Sequence, residues 1–288
     1  MTIVGAGYRP ELRHLFHGHD GHEPDVACAE LIANRYFADG GVSREWELEE
    51  LAGMPLIVHG LSGNAASAMG PEKDYLEQIR RLADYTDALI CSDHLAFTGA
   101  HGRSLGHLAP NRFDDELLGM ACRHIEVMTQ ATGRRICLEN LATKTTLAGS
   151  TYSPEEFFLR LLEESDAWDC LLDVTNVWIN AQNRPLDPLD FISAIPPARI
   201  RYVHLAGGRW IDDELVDTHS ESVHPEVFDV LAFLLQRAQP QVVIVERDSN
   251  WQNAYAEVRA NLAAARDVVA RVQSEKAVDN LLPQSATA

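Results

Sequence analysis

A chain of 288 residues has room for two small domains or one large α/β unit, and 46% hydrophobic with 23% charged residues can bury a substantial core. With Gly 18 and Pro 13, the composition excludes low-complexity and collagen-like chains. The 24 Lys and Arg against 43 Asp and Glu leave a net charge of −19, which repels phosphate backbones and anionic membrane surfaces.

In chain order, short apolar β-prone runs alternate with longer stretches of helical period. The strand runs are residues 3–8, 26–33, 55–60, 88–97, 135–140, 170–176, 201–207 and 242–248. The clearest helices are predicted over 73–85, 114–132, 154–164 and 227–237, with Ser153 as an N-cap before Pro154, and a last one over 253–273. Eight β-then-α units in this length predict a single (β/α)8 TIM barrel over 1–273, followed by a flexible tail over 274–288. A doubly wound sheet fits less well, because Gly5-Ala6-Gly7 runs into Tyr8-Arg9-Pro10 where a nucleotide-binding helix would open.

Cys28, Cys91, Cys122, Cys137 and Cys170 are odd in number and lack a Cys-x-x-Cys pair, so neither a disulfide framework nor a thiolate zinc cage is expected. The first residues carry no basic flank, and no apolar run approaches the ~20 residues of a membrane span. We therefore expect a cytoplasmic protein with no nucleic-acid or membrane partner.

Barrel chemistry collects at the C-terminal ends of the strands. Here those ends read Val58-His59-Gly60, Ser92-Asp93-His94, Leu138-Glu139-Asn140, Leu172-Asp173, Val203-His204-Leu205 and Val245-Glu246-Arg247-Asp248, with Asp217-Thr218-His219 in a loop. Singly, each is an ordinary polar strand end. Together, Glu139, Asp173, Asp217 and Glu246 converging on one mouth would repel unless cations offset them. His59, His94, His204 and His219 add nitrogen donors, making a set suited to iron, zinc or manganese. Asp173 with Asn176, and Asp217 with His219, are spaced so that each pair can close on one metal. Asp248 shares a strand face with Glu246 and would orient a ligand or accept a proton. Trp178 and Trp210 are placed in loops beside the mouth, either walling a groove or packing.

This ordered set, from Gly5-Ala6-Gly7-Tyr8-Arg9 to Glu246-Arg247-Asp248, resembles the multinuclear non-haem iron-dependent oxidative enzymes, the DUF692 or UPF0276 family. The resemblance implies a xylose isomerase-like barrel that uses two or three irons and O2 to modify a cysteine, less often another residue, in a ribosomally made precursor peptide. β-Carbon excision and oxazolone with thioamide formation are both implied products, and a small partner protein is implied to deliver the peptide. It also implies a partition: Glu139 bridging one metal on His59 and His94 to a second on Asp173, His204 and Glu246, with a third on Asn176, Asp217 and His219. Asn140, Asn180 and Asn183 fall in matching motifs and are expected to meet substrate.

The chain departs from the family at Asn34-Arg35-Tyr36-Phe37, where Glu-Asn is common, and at Arg184-Pro185, where His-Gly is frequent. Both bear on substrate more than on metal. A loop with His14, His17, His19 and His22 either recruits metal or is simply exposed. A trinuclear-zinc endonuclease of the apurinic-site class is the main alternative, opposed by Asn176 where His is typical and by the charge. A sugar isomerase lacks its expected Lys and acidic motifs. A non-catalytic, metal-dependent peptide-binding subunit is the remaining alternative.

Overall fold

The computed structural model describes residues 1–18, 23–101, 103–109 and 111–281. Its centre is a closed barrel of eight parallel strands: β1 (Ile3–Gly7), β2 (Ala29–Ile32), β3 (Leu56–His59), β4 (Ile90–His94), β5 (Ile136–Glu139), β6 (Trp168–Asp173), β7 (Ile200–Leu205) and β8 (Val242–Val245). Each strand pairs with its sequence neighbours, and β8 returns to β1 with Ile3 opposite Val242. All eight expected runs hold a barrel strand.

Alternation along the strands decides what the barrel encloses. Cys28, Ile57, Ile90, Cys137, Leu171, Tyr202, Val242 and Ile244 form one apolar cluster, separate from the larger one that packs strands against helices. Two residues further along the same strand faces stand Glu30, His59, Ser92, Glu139, Asp173, His204 and Glu246, all buried. A polar layer thus caps an apolar plug at the C-terminal mouth.

The helices Lys73–Tyr85 and Pro154–Glu164 have the expected bounds. Ser153 and Glu156 form a reciprocal capping box at the start of the second. After β6 the reading changes: the chain is helical over Val174–Asn183, not extended to residue 176. Asp173 accepts from the Asn176 backbone N–H at 2.7 Å, and this N-cap starts the helix at the strand end. Trp178 is therefore a helix residue, not a loop residue; it is buried and its ring lies 4.7 Å from that of His224.

The final helix, Ala254–Leu281, continues past residue 273, and residues 282–288 lie outside the described ones. The connection after β1 holds a 3-10 helix, Pro10–Leu15, that includes His14. His17 pairs with Glu50 at 3.3 Å, while His19 and His22 lie outside the described residues. Two hairpins, Phe97–Ala100 with Arg103–Ala109 and Arg209–Ile211 with Glu214–Val216, extend from the mouth. Among the described residues no helix is long and apolar enough to cross a membrane.

Candidate metal centre

His59 ends β3, His94 ends β4 and Glu139 ends β5, so neighbouring strands deliver them side by side. The Nε2 atoms of His59 and His94 lie 3.5 and 3.2 Å from Glu139 Oε2. Each ring is held by its other nitrogen: His59 Nδ1 meets Ser92 Oγ at 2.8 Å, and His94 Nδ1 meets the Gly60 carbonyl at 3.1 Å. A ring that donates through Nδ1 keeps its Nε2 lone pair for an ion.

The opposite oxygen of Glu139, Oε1, lies 3.8 Å from His204 Nδ1, which in turn is 2.9 Å from Glu246 Oε2. Glu139, Asp173 and His204 offer atoms within 4.8 Å of one another, as do Asp173, His219 and Glu246. His219 lies 3.0 Å from Asp217 Oδ1 through Nε2 and 3.2 Å from Asp248 Oδ2 through Nδ1. Its φ of 49° is left-handed, a conformation unusual for a residue with a side chain.

Buried atoms here lack the hydrogen bonds that burial normally demands. Glu139 Oε2, Asp173 Oδ2, Asn176 Oδ1, His204 Nδ1, Asp217 Oδ1 and His219 Nδ1 make no well-aligned hydrogen bond, although several of them stand close to one another or to a neighbouring donor or acceptor. Asn176 shows the pattern most clearly: its Nδ2 donates to the Asn140 carbonyl at 3.1 Å, which leaves Oδ1, the donor atom a metal would need, unclaimed. Orphaned lone pairs on nitrogen and oxygen, facing one another with no thiolate among them, fit multinuclear binding of a first-row divalent metal.

The electrostatics agree. Burial, with Glu139 and Asp217 nearby, pushes the Asp173 carboxyl well above its ordinary range. Burial also disfavours a charged His204, yet Glu246 and Glu30 override it and hold the imidazole well above its usual value. His219 is raised the same way by Asp217 and Glu246 against its burial. His59 is driven well below, by burial and then by His94 and His204. The raised values of Asp173, His204 and His219 run in the direction expected of carboxylates crowded together with no cation between them.

A family profile described as "RiPP precursor modification enzyme MbnB/TglH/ChrH" matches residues 3–270. The chain belongs to this family. RiPPs are ribosomally synthesised and post-translationally modified peptides. A UPF0276 protein of Acaryochloris marina is 34% identical over 250 residues, covering 86% of this chain and 89% of that protein. One of Caulobacter vibrioides is 29% identical over 85% of this chain and 87% of its own length. Among solved structures, an L-ribulose 3-epimerase aligns over all of both chains with a TM-score of 0.60 at 16% identity. A D-psicose 3-epimerase aligns over 93% of this chain and 99% of that one, with a TM-score of 0.60 at 12% identity. At such identities these two show the fold, a xylose isomerase-like barrel.

Within this cluster, one carboxylate escaped the sequence reading. Glu30 on β2 is fully buried, and its Oε2 lies 2.9 Å from His204 Nε2. The signal was present: Cys28-x-Glu30 has the same step of two as Cys137-x-Glu139 on β5.

Of the residues expected to meet substrate, Asn183 lines the cavity over the cluster, and all three asparagines also bond backbone groups. Asn140 accepts from the Asp173 N–H at 2.8 Å and donates to the Asp173 carbonyl at 3.0 Å, locking the end of β6. Asn180 accepts from Thr143 N–H and donates to the Leu141 carbonyl, fixing the loop after β5. Asn183 grips both backbone groups of Leu215 in the second hairpin, at 2.7 and 3.0 Å. Trp178 packs on His224, and Trp210 is half exposed on that hairpin.

What does open over the cluster is a cavity of about 720 Å³, with His94, Glu139, Asn176, Asp217, His219 and Asp248 in its wall. That volume suits a ligand-binding cleft. Lys144 and Glu214, an ion pair between the loop after β5 and the second hairpin, stand at its rim.

Proposed function

We propose that this chain is an iron- and O2-dependent oxidase that modifies a cysteine in a ribosomally made precursor peptide. The observation that carries the reading is the layer of unpartnered nitrogen and oxygen atoms at the strand ends, opening into a cavity large enough for a peptide side chain and its neighbours. Membership of a peptide-modifying family supports the substrate class. The net charge of −19 supports a peptide over a nucleic acid. We further propose that a small partner protein delivers the leader end of the peptide.

In this reading His59, His94 and Glu139 would hold one ion, and Glu139, Asp173 and His204, with Glu246, a second. Asn176, Asp217 and His219 would hold a third. Iron, when bound, would supply the redox chemistry by which O2 oxidises the peptide cysteine.

The protein's own residues then position and exclude. The apolar plug of Ile57, Ile90, Leu171 and Tyr202 closes the barrel beneath the site, so substrate enters from the mouth alone. Asp248, anchored by Arg9 on one oxygen, presents the other to His219 and to the cavity, and there it orients the ring or accepts a proton. Burial raises the thiols of Cys28 and Cys91 to about 12 and pushes that of Cys137 well above its usual range, so these barrel cysteines stay protonated and do not compete with a substrate thiolate.

The test is anaerobic loading with ferrous iron, addition of a cysteine-bearing precursor peptide, and exposure to air under mass spectrometry. A mass change confined to the cysteine, absent without O2 and absent in a cysteine-to-serine peptide, is expected. Equal turnover with zinc alone, without O2, on abasic DNA contradicts the reading.

A further inference from the structure

His204 differs from its neighbours. His59 and His94 are held through Nδ1 and turn Nε2 to Glu139, whereas His204 turns Nδ1 to Glu139 and Glu246 and points Nε2 away from them. What meets that Nε2 is Glu30, at 2.9 Å, reaching from β2 on another part of the barrel. The other two rings are anchored by neutral oxygens, the Ser92 hydroxyl and the Gly60 carbonyl. Only His204 of the three has a carboxylate behind it, and that carboxylate is fully buried.

We infer that Glu30 is a positioning residue, which fixes the Nε2–H tautomer and the ring orientation of His204 so that Nδ1 is the atom offered to metal. The inference rests on the metal reading above and names the part of the chain on which one ion depends. An imidazole N–H bonded to a carboxylate is held in one tautomer and becomes a more basic ligand at its other nitrogen. Apart from Glu246 at Nδ1, itself a candidate ligand, the ring has little other guidance: Tyr202 and His59 contact it edge-on, with centroids 5.2 and 5.3 Å away, and neither contact tells one nitrogen from the other. Glu30 would instead be a direct ligand if an ion sat between it, His204 and Glu246, which also lie within 4.8 Å. Its second oxygen, Oε1, has no partner, so the experiment must separate the two roles.

Zinc serves as a diamagnetic probe. The full chain with 15N-labelled histidine is loaded with zinc, and ion count, affinity and imidazole nitrogen shifts are compared for native, Glu30→Gln and Glu30→Ala proteins, with circular dichroism to verify the fold. Gln keeps an oxygen that accepts from Nε2–H. We expect the native spectrum to show His204 metal-bound at Nδ1 and protonated at Nε2. Glu30→Gln is expected to keep that pattern and the full ion count. Glu30→Ala is expected to lose about 10–100-fold in affinity for one ion, the usual cost of removing such a partner. If Glu30→Ala does not fold, the ion count and tautomer of Glu30→Gln decide alone. Native affinity and tautomer in Glu30→Ala, or one ion fewer at saturation in Glu30→Gln, overturns the inference and leaves the metal reading standing. A native chain that takes up no ions overturns both.

Discussion

Arg9, just past the end of β1, and Asp248, just past the end of β8, bond across the seam where the barrel closes: Arg9 Nε donates to Asp248 Oδ1 at 2.9 Å, and Nη2 pairs with the same oxygen. The guanidinium is buried, and the other carboxylate oxygen faces His219 Nδ1 at 3.2 Å. One ion pair therefore ties the first and last strands and sets the position of a candidate ligand. Replacing Asp248 by Asn keeps the shape and removes the charge. With Asp248 itself part-exposed and Asn keeping an accepting oxygen, the expected loss in urea unfolding is about 1 kcal/mol, below the roughly 1.5–3 kcal/mol of a buried hydrogen bond to a charged group. An unchanged midpoint would show that the seam does not depend on the pair.

Asp173 offers a trade between stability and binding. In the metal-free protein its charge is opposed by burial and by Glu139 and Asp217, while its Oδ1 caps the helix that follows. Asn also caps helices, so Asp173→Asn should keep the fold, stabilise the metal-free chain by about 1 kcal/mol, and abolish binding of at least one ion. Calorimetry with metal analysis checks both halves. Lower stability together with intact binding would sink the idea.

The pH dependence of the chelator-treated protein follows from the same groups. Folded-state values of His204 and His219 are raised, so the stability they supply is fully present below the unfolded value of about 6.5 and is lost as pH rises through the folded values. Asp173, also raised, opposes folding increasingly as pH climbs above about 4. Glu246 is lowered and titrates below this window. His59 is lowered, so it adds stability only as pH rises through about 6.5. Stability of the metal-free chain should therefore fall from about pH 7 to 9. A rise over that interval in urea midpoints would refute the assignment of charge.

Gly60 is packed without room for a side chain: a Cβ there would lie 2.1 Å from Tyr75 Oη and 2.3 Å from Asp93 Oδ2. Tyr75 donates to Asp93 at 2.5 Å, and Asp93 also accepts from the N–H groups of Gly63 and His94. Gly60→Ala should push this network apart beneath His94 and cost about 1–3 kcal/mol. A thermal midpoint equal to the native one would mean that the loop adjusts freely.

Much of this was legible because strands and exposed helices carry local signals. Lys73–Tyr85 shows an apolar period within its own sequence, and Pro154–Glu164 shows both that period and a cap. The strand ends carried their imidazoles and carboxylates in plain view. Other features depend on what meets what. The helix after β6 starts at Val174 because the Asp173 carboxylate folds onto the Asn176 N–H, a contact hidden in a run that reads as extended. The hydrogen bonds of Asn140, Asn180 and Asn183 to backbone groups far away in sequence could not be read from the motifs in which they fall. Glu30 was missed because the run 26–33 ends in Leu31-Ile32-Ala33, an apolar ending, although its step from Cys28 marked it as inward.

The central claim is that the strand ends form a multinuclear metal site that takes iron. Anaerobic reconstitution with ferrous iron, followed by metal analysis and Mössbauer spectroscopy, tests it most directly. The account predicts two or three irons per chain in nitrogen and oxygen coordination, with at least one lost in Asp173→Asn. One iron or none in the native protein, or an iron count unchanged by that substitution, would contradict it.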